Sequence, residues 1–131
     1  MRKKINLLAR DSRGQSLVEF ALVVPVLVVI LFAIIEFGRL WMTVNVLTSA
    51  AREGARVAAV TAPNTSAAQA AAQNVLTGGK VTGASVNVSG PNGANEVRVT
   101  VTVNYQPITA GLVPGLEELV LSRSATMHWE N

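Results

Sequence analysis

Residues 20–35 read FALVVPVLVVILFAII, sixteen positions with no polar side chain and one interruption, Pro25. Widened to residues 17–41, through Leu40 and Trp41, the segment reaches about 37 Å as a helix. A hydrocarbon core of about 30 Å needs about 20 residues, so the segment is long enough to cross one. Lipid offers the backbone no hydrogen bonds, so a single crossing segment must be helical. A lone proline is tolerated in such a span, and Pro25 is expected to kink it.

The flanks set an orientation. Five of the eleven basic residues, Arg2, Lys3, Lys4, Arg10 and Arg13, lie in residues 1–14 and are opposed there only by Asp11. Lys and Arg beside a span stay on the cytoplasmic side. The expected layout is therefore a basic cytoplasmic leader over 1–14, a membrane helix over 15–41 and an extracytoplasmic part over 42–131. Trp41 is placed to anchor the outer boundary. Beyond residue 14 the chain has six basic and seven acidic groups, a net charge of −1. That lacks the basic face that nucleic-acid binding requires, so no nucleic acid is expected as a partner.

The helix is expected to continue past the membrane. Residues 42–62 carry no proline and many alanines, and Pro63 disfavours helix just before it. Ala50, Gly54 and Ala58 form one ridge of small residues, and Ala51, Ala55 and Ala59 a second beside it. Such ridges allow close backbone approach. Alanine alone would be explained by helix propensity, but Gly54 costs a helix stability and points to packing. Arg52, Glu53 and Arg56 are expected to form solvated side-chain pairs, and Glu36 to pair with Arg39 one turn later.

After a turn at residues 63–66, residues 67–76 read as a short alanine-rich helix closed by Gly78 and Gly79. The period then changes to two. Ala84, Val86 and Val88 alternate with polar residues, Gly90-Pro91-Asn92-Gly93 makes a turn, and Val97, Val99, Val101, Val103 and Tyr105 alternate again. A third strand is expected over residues 119–129, with Leu121, Ala125, Met127 and Trp129 on one face and Arg123 interrupting it at a rim. The fold class is α+β: a long N-terminal transmembrane helix continues into a stalk that covers one face of a small antiparallel sheet.

The chemistry is concentrated where the leader meets the helix, at Arg13-Gly14-Gln15-Ser16-Leu17-Val18-Glu19-Phe20. A carboxylate costs about 2.5–3.5 kcal/mol at the centre of a span, and less near its edge, so Glu19 calls for a partner. Cleavage after Gly14 would supply one, the α-amine of Gln15, whose reference pKa is about 7.7–8.0. Glu19 in the first turn also complements the helix dipole, and a glycine at the cut lets the chain extend into a protease cleft.

These segments resemble a known family. The run RGQSLVEFALVVPVLVVILFAIIEFGRLW followed by AAREGARVAA is similar to the TadE-like proteins, pseudopilins of the tight-adherence (Flp) type IV pilus system. The resemblance is strong over about the first half of the chain and looser beyond. It implies cleavage between Gly14 and Gln15 by a membrane aspartyl prepilin peptidase, with Glu19 as the carboxylate required for assembly. It further implies other pilin-like subunits and inner-membrane platform proteins as partners, besides the lipid bilayer, and a location in the bacterial inner membrane. The short head fits the TadE-like group better than the TadF-like or TadG-like groups.

Two other classes compete. A secretory signal peptide would have an apolar core of about 7–15 residues and a small-residue cleavage site just after it. Here Glu36, Phe37 and Arg39 follow instead, so an uncleaved membrane-anchored adaptor or binding protein is the better alternative. An enzyme is not expected. The chain has no cysteine, its one histidine, His128, stands alone on a strand, and no glycine-rich loop precedes a helix. No catalytic residue, metal site or cofactor is assigned.

Overall fold

The computed structural model describes residues 11–61, 64–111, 115 and 117–129. Most of the basic leader, Pro63 and the middle of the loop before the third strand lie outside these. Two helices precede three strands: α1 (Asp11–Thr61), α2 (Thr65–Gly78), β1 (Ser85–Ser89), β2 (Glu96–Tyr105) and β3 (Leu119–His128). The architecture is the α+β arrangement expected, with strand order β1-β2-β3 and both pairings antiparallel. Contacts divide the chain between Ile35 and Glu36 into two units.

The first unit holds the apolar part of α1, which continues across Pro25. Its large side chains are open, Leu17, Phe20 and Leu22 being about 70% exposed (72%, 68% and 70%). A helix so apolar and so uncovered must meet lipid or other apolar partners. α1 is the one described helix long and apolar enough to cross a membrane.

The second unit, Glu36–Asn131, builds its core where α1 and α2 cover one face of the sheet. Leu47, Ala50, Ala51, Ala55 and Ala58 come from α1, Ala68, Ala72 and Leu76 from α2, and Val97, Val99, Val101 and Val103 from β2. The alternating burial of β2 follows from the period of two in its sequence. Burying each of the larger side chains here stabilises the head by about 1.5–3 kcal/mol.

The register of β3 puts Leu121, Arg123, Ala125 and Met127 opposite Val103, Val101, Val99 and Val97. Arg123 thus belongs to the inward set yet stays exposed, its guanidinium donating to the Ser122 carbonyl at 3.0 Å. That is the rim position its charge demands. Trp129 closes the strand by donating its N–H to the Asn95 carbonyl at 2.6 Å.

α2 is longer at both ends than periodicity indicated. Asn64 caps its N-terminus, with Oδ1 accepting from the N–H of Ser66 at 3.2 Å and from its hydroxyl at 2.6 Å. This cap draws Thr65 and Ser66 into the helix. At the other end the left-handed residue is Lys80 (φ 57°), not a glycine, and Val81 donates back to the Leu76 carbonyl at 2.9 Å. Gly79 serves a different need: a Cβ there would lie 2.5 Å from Val46 Cγ1, so α2 could not end this close to α1.

Candidate functional site

α1 begins at Asp11, within the leader, so Glu19 lies about two turns inside it rather than in its first turn, and is exposed among apolar neighbours. Its Oε1 accepts a hydrogen bond from Gln15 Nε2 at 3.3 Å, one turn earlier. Gln15 therefore already stands in reach of the carboxylate through its amide. A cut after Gly14 would add its α-amine at the same end of the helix. The Gly14–Gln15 bond lies at the end of the first turn of α1, so a protease would have to take this end of the helix unwound. Terminal turns fray readily because their first N–H groups lack helical partners. A Cβ at Gly14 would meet nothing within 4 Å, so the position is open.

Ala50, Gly54 and Ala58 are all buried. A Cβ on Gly54 would lie 3.1 Å from Val99 Cγ1, 3.2 Å from Ala72 Cβ and 3.3 Å from the Ala68 carbonyl oxygen. The small-residue ridge thus faces α2 and β2 of its own chain. Ala51 and Ala55 of the second ridge are buried as well, and Ala59 half-buried. Arg56 grips Glu53 with two hydrogen bonds, Nη2 to Oε1 at 2.8 Å and Nε to Oε2 at 3.0 Å. The hydrogen bond from Arg56 holds the Glu53 carboxyl below its ordinary value. Arg52 is exposed.

Sequence reasoning missed the cluster around Glu36. The pairing with Arg39 exists, but at 3.8 Å it is the loosest of three interactions. Glu36 Oε1 accepts a short hydrogen bond from the Tyr105 hydroxyl. Its Oε2 accepts from the backbone N–H of Ile108 at 2.9 Å. The Arg39 guanidinium stands 5.7 Å from the centre of the Tyr105 ring, within cation–π range. Glu36 is only 17% exposed, so these donors replace the water it has lost. The cluster ties the end of β2 and the start of the next loop to α1. The one available signal was Tyr105 itself, a hydroxyl at the end of an otherwise apolar alternation.

Burial pushes the Tyr105 hydroxyl up to about 12, with its hydrogen bond to Glu36 adding to the effect. A folded-state pKa above the unfolded one gives stability that is complete below about pH 10 and is lost as pH rises towards about 12. Tyr105 is the only tyrosine, so the near-ultraviolet absorbance of phenolate reads it directly. The expected titration midpoint is near 12 in the folded chain and lower in Glu36→Ala, though still above the ordinary tyrosine value, because burial remains the larger cause. A midpoint near the ordinary value in both would remove the cluster.

Glu96 and His128 are paired in register on the outer face, where both are exposed. No group of three or more His, Asp or Glu able to hold a metal occurs among the described residues.

The TadE-like protein family model matches residues 14–56, which takes in the Gly14–Glu19 motif, the apolar helix, Glu36 and the Gly54 ridge up to Arg56. This part of the chain is similar to the TadE-like family, as its motifs indicated. No curated protein and no solved structure matches the chain. The match and the exposed apolar helix together support a pilin-like protein of the tight-adherence pilus system, held by a single-pass membrane anchor.

Proposed function

We propose that this TadE-like chain is a membrane-anchored subunit supporting assembly of tight-adherence (Flp) type IV pili. In this reading a prepilin peptidase hydrolyses the Gly14–Gln15 bond on the cytoplasmic face of the bacterial inner membrane. Water is consumed, Gly14 leaves as a carboxylate and Gln15 gains a free amine. The observation that carries the reading is Glu19, an exposed carboxylate on an exposed apolar helix, one turn from Gln15 within the matched segment.

The chemistry is a charge neutralisation. Near neutral pH the new amine is mostly protonated. A carboxylate in an apolar medium gains most from a cation when no water competes. Pairing with the amine of an adjacent subunit would reward side-by-side packing of the apolar helices. Other pilin-like subunits and inner-membrane platform proteins are the partners this requires. The leader's Lys and Arg hold the N-terminus in the cytoplasm, which keeps the cut bond on the peptidase side and the head outside.

Intact-mass measurement of the subunit from its native host tests the cut. The expected mass is that of a chain beginning at Gln15. A chain beginning at Met1, in a host that has the peptidase, would support the uncleaved adaptor instead.

A further inference from the structure

We propose that the turn directly after β2, residues 107–110, is a second membrane contact, in which Glu36 holds Ile108 against the outer surface of the bilayer. The proposal rests on the membrane anchorage of α1 and not on cleavage at Gly14.

Ile108 is an apolar side chain left 58% exposed, next to the buried Pro107. Its position is not left to the loop. Its N–H is held by Glu36 Oε2 at 2.9 Å, and the preceding strand end by the Tyr105 hydroxyl on the other oxygen. Glu36 directly follows Ile35, the last residue of the exposed apolar run. The clasp therefore keeps an exposed isoleucine beside the first charged residue after the uninterrupted apolar run. The neighbours on α1 are those expected at a lipid–water boundary. Phe37 and Trp41 are exposed and stacked with ring centroids 6.4 Å apart, and Arg39 carries a half-exposed charge. Trp and Arg are the side chains that settle at headgroup level, with apolar bodies and polar tips. The occupant follows from this continuity: the surface that covers the apolar run ends between Glu36 and Trp41, and what covers it is lipid. A carboxylate here would be costly if it faced the bilayer itself. Hydrogen-bonded to Tyr105 and to the Ile108 N–H, it is satisfied, while the Ile108 side chain stays exposed.

The chain has no cysteine, so single-cysteine labelling of the full chain is clean. Three variants, Ile108→Cys, Asn87→Cys and Val23→Cys, would carry an environment-sensitive nitrobenzoxadiazole probe in phosphatidylcholine–phosphatidylglycerol vesicles. Quenching by lipids brominated in the upper acyl chain is then measured. Asn87 lies exposed on the outer face of the sheet and controls for the affinity of the probe for lipid. Val23 lies in the apolar run and reports insertion. Strong quenching is expected at residues 108 and 23 and none at 87. Adding Glu36→Ala should bring residue 108 to the level of residue 87 and leave residue 23 unchanged. If residue 108 behaves like residue 87 in the unaltered background while residue 23 is quenched, the seating is overturned and the anchorage stands. A probe at residue 108 shielded from both water-borne iodide and brominated lipid would mean a second protein copy covers it, which also overturns the proposal. An unquenched probe at residue 23 would remove the anchorage, and the seating with it.

Discussion

Glu19→Ala is expected to abolish surface piliation while the subunit still accumulates in the membrane. The side chain accepts a hydrogen bond from the Gln15 amide and is exposed among apolar neighbours. Its loss therefore costs the folded chain little and makes insertion easier, because a carboxylate no longer enters lipid. The loss falls on association. Opposite unit charges ~5 Å apart at an effective dielectric of ~20 attract by about 3 kcal/mol. If half survives screening, each subunit contact is weakened about tenfold, and a polymer multiplies that loss over many contacts. Glu19→Gln separates charge from hydrogen bonding, since it keeps the size and can still meet the Gln15 amide. It is expected to fail as Ala does. Counting pili by electron microscopy and comparing membrane with sheared fractions by immunoblot gives both readouts. Normal piliation with Gln would show that the negative charge has no part in assembly.

The second large effect is expected at Gly54→Leu, in stability. The three atoms that would surround a Cβ there, on Val99, Ala72 and the Ala68 backbone, lie at 3.1–3.3 Å. A leucine must push α1 away from α2 and β2 together, and one of the three atoms is a backbone oxygen. Overpacking of this kind costs about 1–3 kcal/mol. The gain in helix propensity over glycine returns at most about 1 kcal/mol, but three-sided confinement puts the net loss at about 2 kcal/mol or more. For a head of this size that lowers the melting temperature by about 10–20 °C. Gly54→Ala needs its neighbours to yield only a few tenths of an ångström and gains propensity, so it should melt within a few degrees of the parent. Thermal unfolding of the full chain in detergent micelles, followed by near-ultraviolet circular dichroism, measures both. A Leu variant that melts with the parent would show that the ridge is not the packing surface.

Much of this was legible along the chain. The valines of β2 alternate over ten residues, and each is buried. β3 was legible down to Arg123, because a charge in an apolar alternation can only sit at an edge. The end of α1 at Thr61 and the cap at Asn64 follow from residue types within four positions. The ridge around Gly54 was visible as a pattern, but its partner was not. Glu36 shows the limit most clearly. Its nearest basic residue in sequence, Arg39, is its weakest partner, while Tyr105 and Ile108 stand 69 and 72 positions away.

The amino-acid sequence by itself determined the apolar helix, the three strands with their inward faces and the carboxylate of Glu19 just ahead of the apolar run. All of these depend on local period and on the transfer cost of side chains. Only the tertiary structure decided that Gly54 faces the chain's own head, that Gly79 makes room for Val46, and that Glu36 clasps the loop after β2. Each depends on the distance between elements far apart in the chain, and that distance is set by close packing of the whole core rather than by any one segment.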